Sequence, residues 1–219
     1  MDEKTYSLRV ESLQRLQAAN GVECVALMPG ANLFYFTGLP AHISERPIVA
    51  FVPTRGQLAV LLPELEAPAA RGHLPGNVRL FTYRDEEGHE QAFQTVAEDL
   101  ELDGKSIGVE YLTMRLLEMR RIEQAAPGCR LLAVEPWLPP LRMSKDDAEI
   151  DQMRQAVGIA ERAMQSLLDA DAIRVGRSEL EVAAELRVAL LREGAGGDAF
   201  SPIVVAGPNS ASPHASPSD

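Results

Sequence analysis

The sequence predicts an α/β fold: a mixed-sheet domain followed by a helix-led α+β segment. Three observations predict it. Short apolar runs of β type alternate with helical periodicities up to about residue 135. Two of those runs are separated by only a tight turn, which mixes antiparallel with parallel pairing. After a proline cluster at 136–140 the pattern changes to long helical repeats, with one short β-type run at 203–206.

The elements follow in order. Tyr6, Val10, Leu13 and Leu16 recur at helical spacing over 4–20, and Gly21 stops the helix. The β-type runs are VECVALM (22–28), NLFYFTG (32–38), IVAFVP (48–53) and LAVLLP (58–63), with Thr54-Arg55-Gly56 as a hairpin turn between the last two. A strand at 77–83, a helix at 88–100, a strand at 106–110, a helix at 113–125 and a strand at 130–135 complete the first set. Pro136-Trp137-Leu138-Pro139-Pro140 reads as a stiff, extended connector, with Trp137 as an anchor at a domain interface. The expected organisation is therefore a first domain over 1–137, a proline-rich linker over 138–145 and a second segment over 146–219.

In that second segment Ser144-Lys145-Asp146-Asp147 is a capped helix start, with acids at the positive end of the helix dipole. Ile150, Met153, Val157, Ala160, Met164 and Leu167 carry the helix through 146–169. Ser178 and Glu181 form a second capping box, opening a helix that closes at Gly194. That helix is apolar over most of its circumference and needs cover on most sides. One other helix and one short strand do not supply it, so the segment is expected to be the opening of a domain.

Composition narrows the function classes. Net charge is −11 with basic residues spread thinly, which argues against nucleic acid or an anionic membrane surface. No apolar run approaches the roughly 18 residues of a membrane span, and the acidic N-terminus is unlike a signal peptide. Cys24 and Cys129, far apart in apolar settings, read as two reduced thiols and a cytoplasmic protein. No glycine-rich phosphate loop follows any strand.

The chemistry-bearing candidates are few. His214 sits on the small polar loop GPNSASPH. Ser201, Ser210 and Ser212 are near it, but no acid is placed to orient a Ser–His pair. The nearest acids are Asp198 and Asp219, and no metal-ligand spacing occurs anywhere. His42, Glu45 and Arg46 share the loop GLPAHISERP, either facing a substrate or forming a solvated ion pair. His73 and His89 lie in polar surroundings and read as surface residues.

Five segments in order carry a family resemblance: NLFYFTGL (32–39), ERPIVAFVP (45–53), RMSKDDAEIDQMRQAVGIAERAM (142–164), GRSELEVAAEL (176–186) and FSPIVVAGPNSASPH (200–214). The chain resembles the Xaa-Pro peptidases, the aminopeptidase P and prolidase group of the creatinase-like pita-bread metallopeptidases. The resemblance implies a creatinase-like N-terminal domain and the first part of a pita-bread α+β catalytic domain. It also implies metal-dependent hydrolysis of the bond before proline, on peptides with proline in the second position. His214 matches the family histidine that faces the scissile bond and stabilises the reacting carbonyl or donates a proton. The family's metal ligands are two aspartates, a histidine and two glutamates, which match nothing in this sequence. No cofactor is thus expected in this chain, no catalysis by it alone, and two divalent ions (Mn, Co or Zn) in a full-length form. The family's N-terminal domain closes over a neighbour's active site, which implies a homodimer and substrate-facing roles for His42, Glu45 and Arg46. Two alternatives remain: a creatinase-type amidinohydrolase on the same scaffold, and a non-catalytic binding or oligomerisation module.

Overall fold

Strands that are apolar at every position need cover on both faces, and the fold of the first unit provides it. The computed structural model describes residues 3–219, which divide into two units between Ser144 and Lys145. In the first, strands β1 (Cys24–Leu27), β2 (Val49–Pro53), β3 (Ala59–Pro63), β4 (Arg79–Tyr83), β5 (Ser106–Val109) and β6 (Arg130–Ala133) form one sheet in the order β4-β3-β2-β1-β5-β6. β2 runs antiparallel to β1 and β3, and the remaining pairs are parallel. Five strands therefore point the same way, and the predicted β2–β3 hairpin makes the sheet mixed.

Alternation along each strand divides two cores. Cys24, Ala26, Val49, Phe51 and Leu61 face one side, covered by α4 (Glu90–Asp99) and α5 (Leu116–Ala125). Val25, Leu27, Ala50, Val52 and Leu62 face the other, covered by α1 (Glu3–Ala19), α2 (Ala31–Thr37) and α3 (Ala67–Arg71). Each fully buried Leu or Phe contributes about 1.5–3 kcal/mol, so this double core is what fixes the loops at the sheet edges.

Four expectations are corrected. Residues 32–38 are helix α2 and not a strand: Leu33, Phe36 and Thr37 form one buried helical stripe while Phe34 is half exposed. Gly38, with φ 74°, ends this helix in the left-handed region and donates its N–H to the Phe34 carbonyl at 2.8 Å. Residues 136–140 are not an extended connector but turns leading into α6 (Pro140–Met143), and Leu138 is buried in the second core with Trp137 packed against it. His89 is not a surface residue: its ring sits edge-on to Tyr83 at 5.8 Å and to Phe93 at 6.1 Å. Residues 203–206 form no strand; Val204 packs on the apolar cluster of the second unit, and the Ala206 N–H is taken by the Glu179 carboxylate, not by a strand partner.

The second unit holds α7 (Asp147–Asp169) and α8 (Glu179–Arg192). Asp146 and Ser178 each cap their helix through the reciprocal bond of a capping box, with Glu149 and Glu181. The two helices meet through Ala163, Leu167, Val182 and Ala189, and Arg162 on α7 bonds Glu193 at 2.6 Å. Met153, Val157, Leu168, Leu180, Val188 and Leu191 remain exposed.

Candidate functional site

In an open α/β sheet, ligand sites form where the parallel strands end. The loops after β1, β3, β4, β5 and β6 and the loop before β2 all emerge at that edge. His42, Glu45 and Arg46 lie there, on the irregular segment 38–48. Glu45 and Arg46 are brought together at 2.8 Å. Arg46 also turns its Nε and a second terminal nitrogen onto Asp85, at 2.9 and 2.7 Å. That carboxylate keeps the guanidinium pKa above its ordinary value, and the guanidinium holds Asp85 below its own. With three of its nitrogens engaged by two carboxylates, Arg46 is a loop fastener before it is a free cation.

Two further ties hold the same segment. The Tyr83 hydroxyl donates to the Pro47 carbonyl at 3.1 Å, and burial raises its pKa. Arg115 donates to the Ser44 carbonyl and, through Nε at 3.0 and 3.1 Å, to both oxygens of Glu118. His42 stands apart from these ties. It is exposed and lines a shallow groove of about 280 Å³ with Ser44, Arg46, Glu66 and His73 over an apolar floor that includes Leu62 and Ala70.

His214, in the second unit, follows the 3₁₀ turn Gly207–Ala211. Ser212-Pro213-His214-Ala215 is a β-turn closed by Ala215 N–H to the Ser212 carbonyl at 3.3 Å, with proline at the second position where its fixed φ fits. The imidazole is exposed. The loop is tied at both ends to Glu179, the first residue of α8. One carboxylate oxygen accepts the Ala206 N–H. The other accepts from Asn209 Nδ2 at 2.6 Å and from the Ser218 N–H and hydroxyl, each at 2.9 Å. These donors hold the Glu179 pKa down at about 2.

Asp85, Arg115, Glu118 and Glu179 were not singled out by the sequence. Asp85 and Arg115 are 39 and 71 residues from their partners on the loop, beyond any local pattern. Glu179 carried one legible signal: α8 starts with two acids, Glu179 and Glu181, and the capping box uses only the second.

A metal site needs several carboxylates or imidazoles converging on one point. Among the described residues no group of three or more His, Cys, Asp or Glu does so. The carboxylate nearest in the fold to the His214 loop, Glu179, has its oxygens occupied by N–H and O–H donors. The residues present do not fit a metal centre. Among the described residues no helix is long and apolar enough to cross a membrane.

Comparison with known proteins agrees with this anatomy. Residues 9–144 match the Creatinase/Prolidase N-terminal domain, and residues 151–219 match Metallopeptidase family M24. The chain is 29% identical, over all of its 219 residues, to 56% of the protein named "Probable dipeptidase PepE" in Mycobacterium tuberculosis. Dipeptidase PepE from Mycobacterium ulcerans superposes with TM-score 0.84 at 27% identity, over 100% of this chain and 57% of that one. A recombinant prolidase from Thermococcus sibiricus gives TM-score 0.87 at 27% identity, over the same shares. The chain spans about half the length of the relatives it matches.

Proposed function

The chain belongs to the creatinase/prolidase N-terminal domain family, and from that premise we propose that it carries the N-terminal domain and the His214-bearing part of an Xaa-Pro dipeptidase. The observation that carries this reading is the His214 loop. A histidine on an exposed turn, anchored on both sides, lies in the segment matching the peptidase family.

The bond before proline is a tertiary amide. It lacks the N–H that general proteases grip, and it restricts the residue before it. Breaking it requires charge stabilisation at the carbonyl oxygen and a proton for the departing proline nitrogen. His214 can serve either need, because its ring N–H can donate to an oxygen as negative charge develops and an imidazolium can deliver a proton. The residues of this chain do not assemble the metal site that the family relationship implies, so no step here runs through a metal. The groove beside His42 is placed as the part that receives the peptide, its apolar floor and polar rim being the usual composition of small-ligand sites. The exposed apolar residues of α7 and α8 support a homodimer, and two free cysteines support the cytoplasm.

The test is a chimera in which residues 1–219 replace the matching part of the Thermococcus sibiricus prolidase. It is expected to cleave Ala-Pro with added Mn, Co or Zn, while residues 1–219 alone do not. His214→Ala should lower kcat of the chimera by about 10²–10⁴. A folded chimera that cleaves proline-free dipeptides equally well, or that keeps its kcat after His214→Ala, would sink the reading.

A further inference from the structure

We propose that Glu179 is the positioning residue of His214. The proposal rests on the reading of His214 given above and deepens it, by naming what holds that histidine in place.

The geometry carries it. Segment 206–218 is a compact surface loop whose two ends meet. They meet on a single side chain: Oε1 of Glu179 takes the Ala206 N–H before His214, and Oε2 takes both the N–H and the hydroxyl of Ser218 after it. Asn209, inside the loop, bonds the same Oε2 at 2.6 Å and the Ser216 carbonyl at 3.2 Å. The Leu180 N–H adds a bond to the Ser218 carbonyl at 3.1 Å, laying the return arm of the loop against the start of α8. No strand pairing or apolar anchor holds the arms of the loop: 203–206 is irregular, and residues 206–214 expose all but Asn209. One carboxylate therefore does what a strand ladder does elsewhere. Glu181 stands two residues away and cannot substitute, because it is committed to the Ser178 N–H and to Arg177.

The donors also predict an asymmetry between substitutions. Alanine removes both oxygens. Glutamine keeps one acceptor and turns an NH₂ toward the other set of donors. The carbonyl oxygen of glutamine is best used against the three donors at Oε2, which leaves the amide opposite the Ala206 N–H, donor against donor. Glu179→Gln should thus release the Ala206 end and keep the Ser218 end, while Glu179→Ala releases both.

The experiment is amide hydrogen exchange and His214 ring relaxation by NMR on residues 1–219, comparing these two variants with the unaltered protein. In Glu179→Ala, exchange at Ala206 and Ser218 should rise about tenfold or more and the His214 ring should become mobile, with the interior amides of α8 unchanged. In Glu179→Gln, Ala206 should accelerate and Ser218 should not. Unchanged exchange and ring mobility in Glu179→Ala would overturn the proposal. So would acceleration that spreads equally through α8, because Glu179 would then be a helix stabiliser only. Turnover plays no part in this readout, so its failure is distinct from failure of the chimera to respond to His214→Ala.

Discussion

Arg115 is the single side chain whose removal should most disturb the segment carrying His42, Glu45 and Arg46. Its partner Glu118 has a side chain with 0% exposure, whereas Arg115 itself keeps 33%. Removing the guanidinium leaves a carboxylate in the core without its counter-ion, which typically costs about 3–5 kcal/mol. The Ser44 carbonyl loses its donor as well, for about 1 kcal/mol. Solvent reaches the arginine, so the lower end applies, and Arg115→Met is expected to cost about 3 kcal/mol. Trp137 is the only tryptophan and packs against the second core, so its fluorescence follows the unfolding of the first unit in urea. The double variant Arg115→Met/Glu118→Leu removes the buried charge together with its partner and should recover all but about 1 kcal/mol, the part belonging to Ser44. A loss below about 1 kcal/mol for Arg115→Met would mean the pair behaves as an exposed one. A double variant no more stable than the single would refute the buried-charge argument itself.

Two further outcomes follow from the titrating groups. Glu179 has a folded pKa of about 2, below its ordinary 4.5, so its contribution to the 206–218 loop is complete above pH 4.5 and lost as pH falls towards 2; exchange at Ala206 and Ser218 should rise across that window and be flat in Glu179→Ala. Burial pushes the Cys24 thiol up to about 12 and also raises that of the half-buried Cys129. A disulfide-exchange reagent at pH 8 should therefore label at most Cys129 in the folded protein and both thiols in urea, and rapid native labelling of Cys24 would contradict the first core.

What was legible in the sequence depended on whether one signal decided a segment. All six strands were visible because runs such as VAFVP and AVLLP are buried on both sheet faces and apolar at every position. The capping boxes of α7 and α8 were visible because both members lie three residues apart. At 32–38 two signals conflicted: Phe, Tyr and Thr favour strands, while the flanking Gly30 and Gly38 and the stripe Leu33-Phe36-Thr37 favour a helix. Packing against the second core decided for the helix. At Pro139-Pro140 the prolines suggested extension, yet Pro140 opens α6, where its missing N–H costs nothing. Helix α3, Ala67–Arg71, is too short to show a period. The candidate site divided in the same way. His214 and the Glu45–Arg46 pair could be found locally, whereas Asp85, Arg115 and Glu118 act across the fold.

The acid excess of this chain takes on a structural meaning in these contacts. Glu110, nearly buried after β5, accepts the Met28 N–H and the Asn32 side chain, each at 2.7 Å, and so fixes the start of α2. Glu118 takes Arg115, and Glu179 takes the arms of the His214 loop. A carboxylate offers about four acceptor positions, and one that has given them to loop donors has few left for a cation. Acids used this way are fasteners, and adding more of them would not by itself make a metal site. They also separate by pH. Burial, with Glu135 nearby, raises the pKa of Glu110, so its desolvation penalty is present at neutral pH and relieved on mild acidification. Glu179 is exposed and rich in donors, and it stays ionised until far lower pH. On acidification the α2 fastener therefore protonates well before the His214 loop is released, and the two ties let go in that order because one is held by a dry site and the other by four hydrogen bonds.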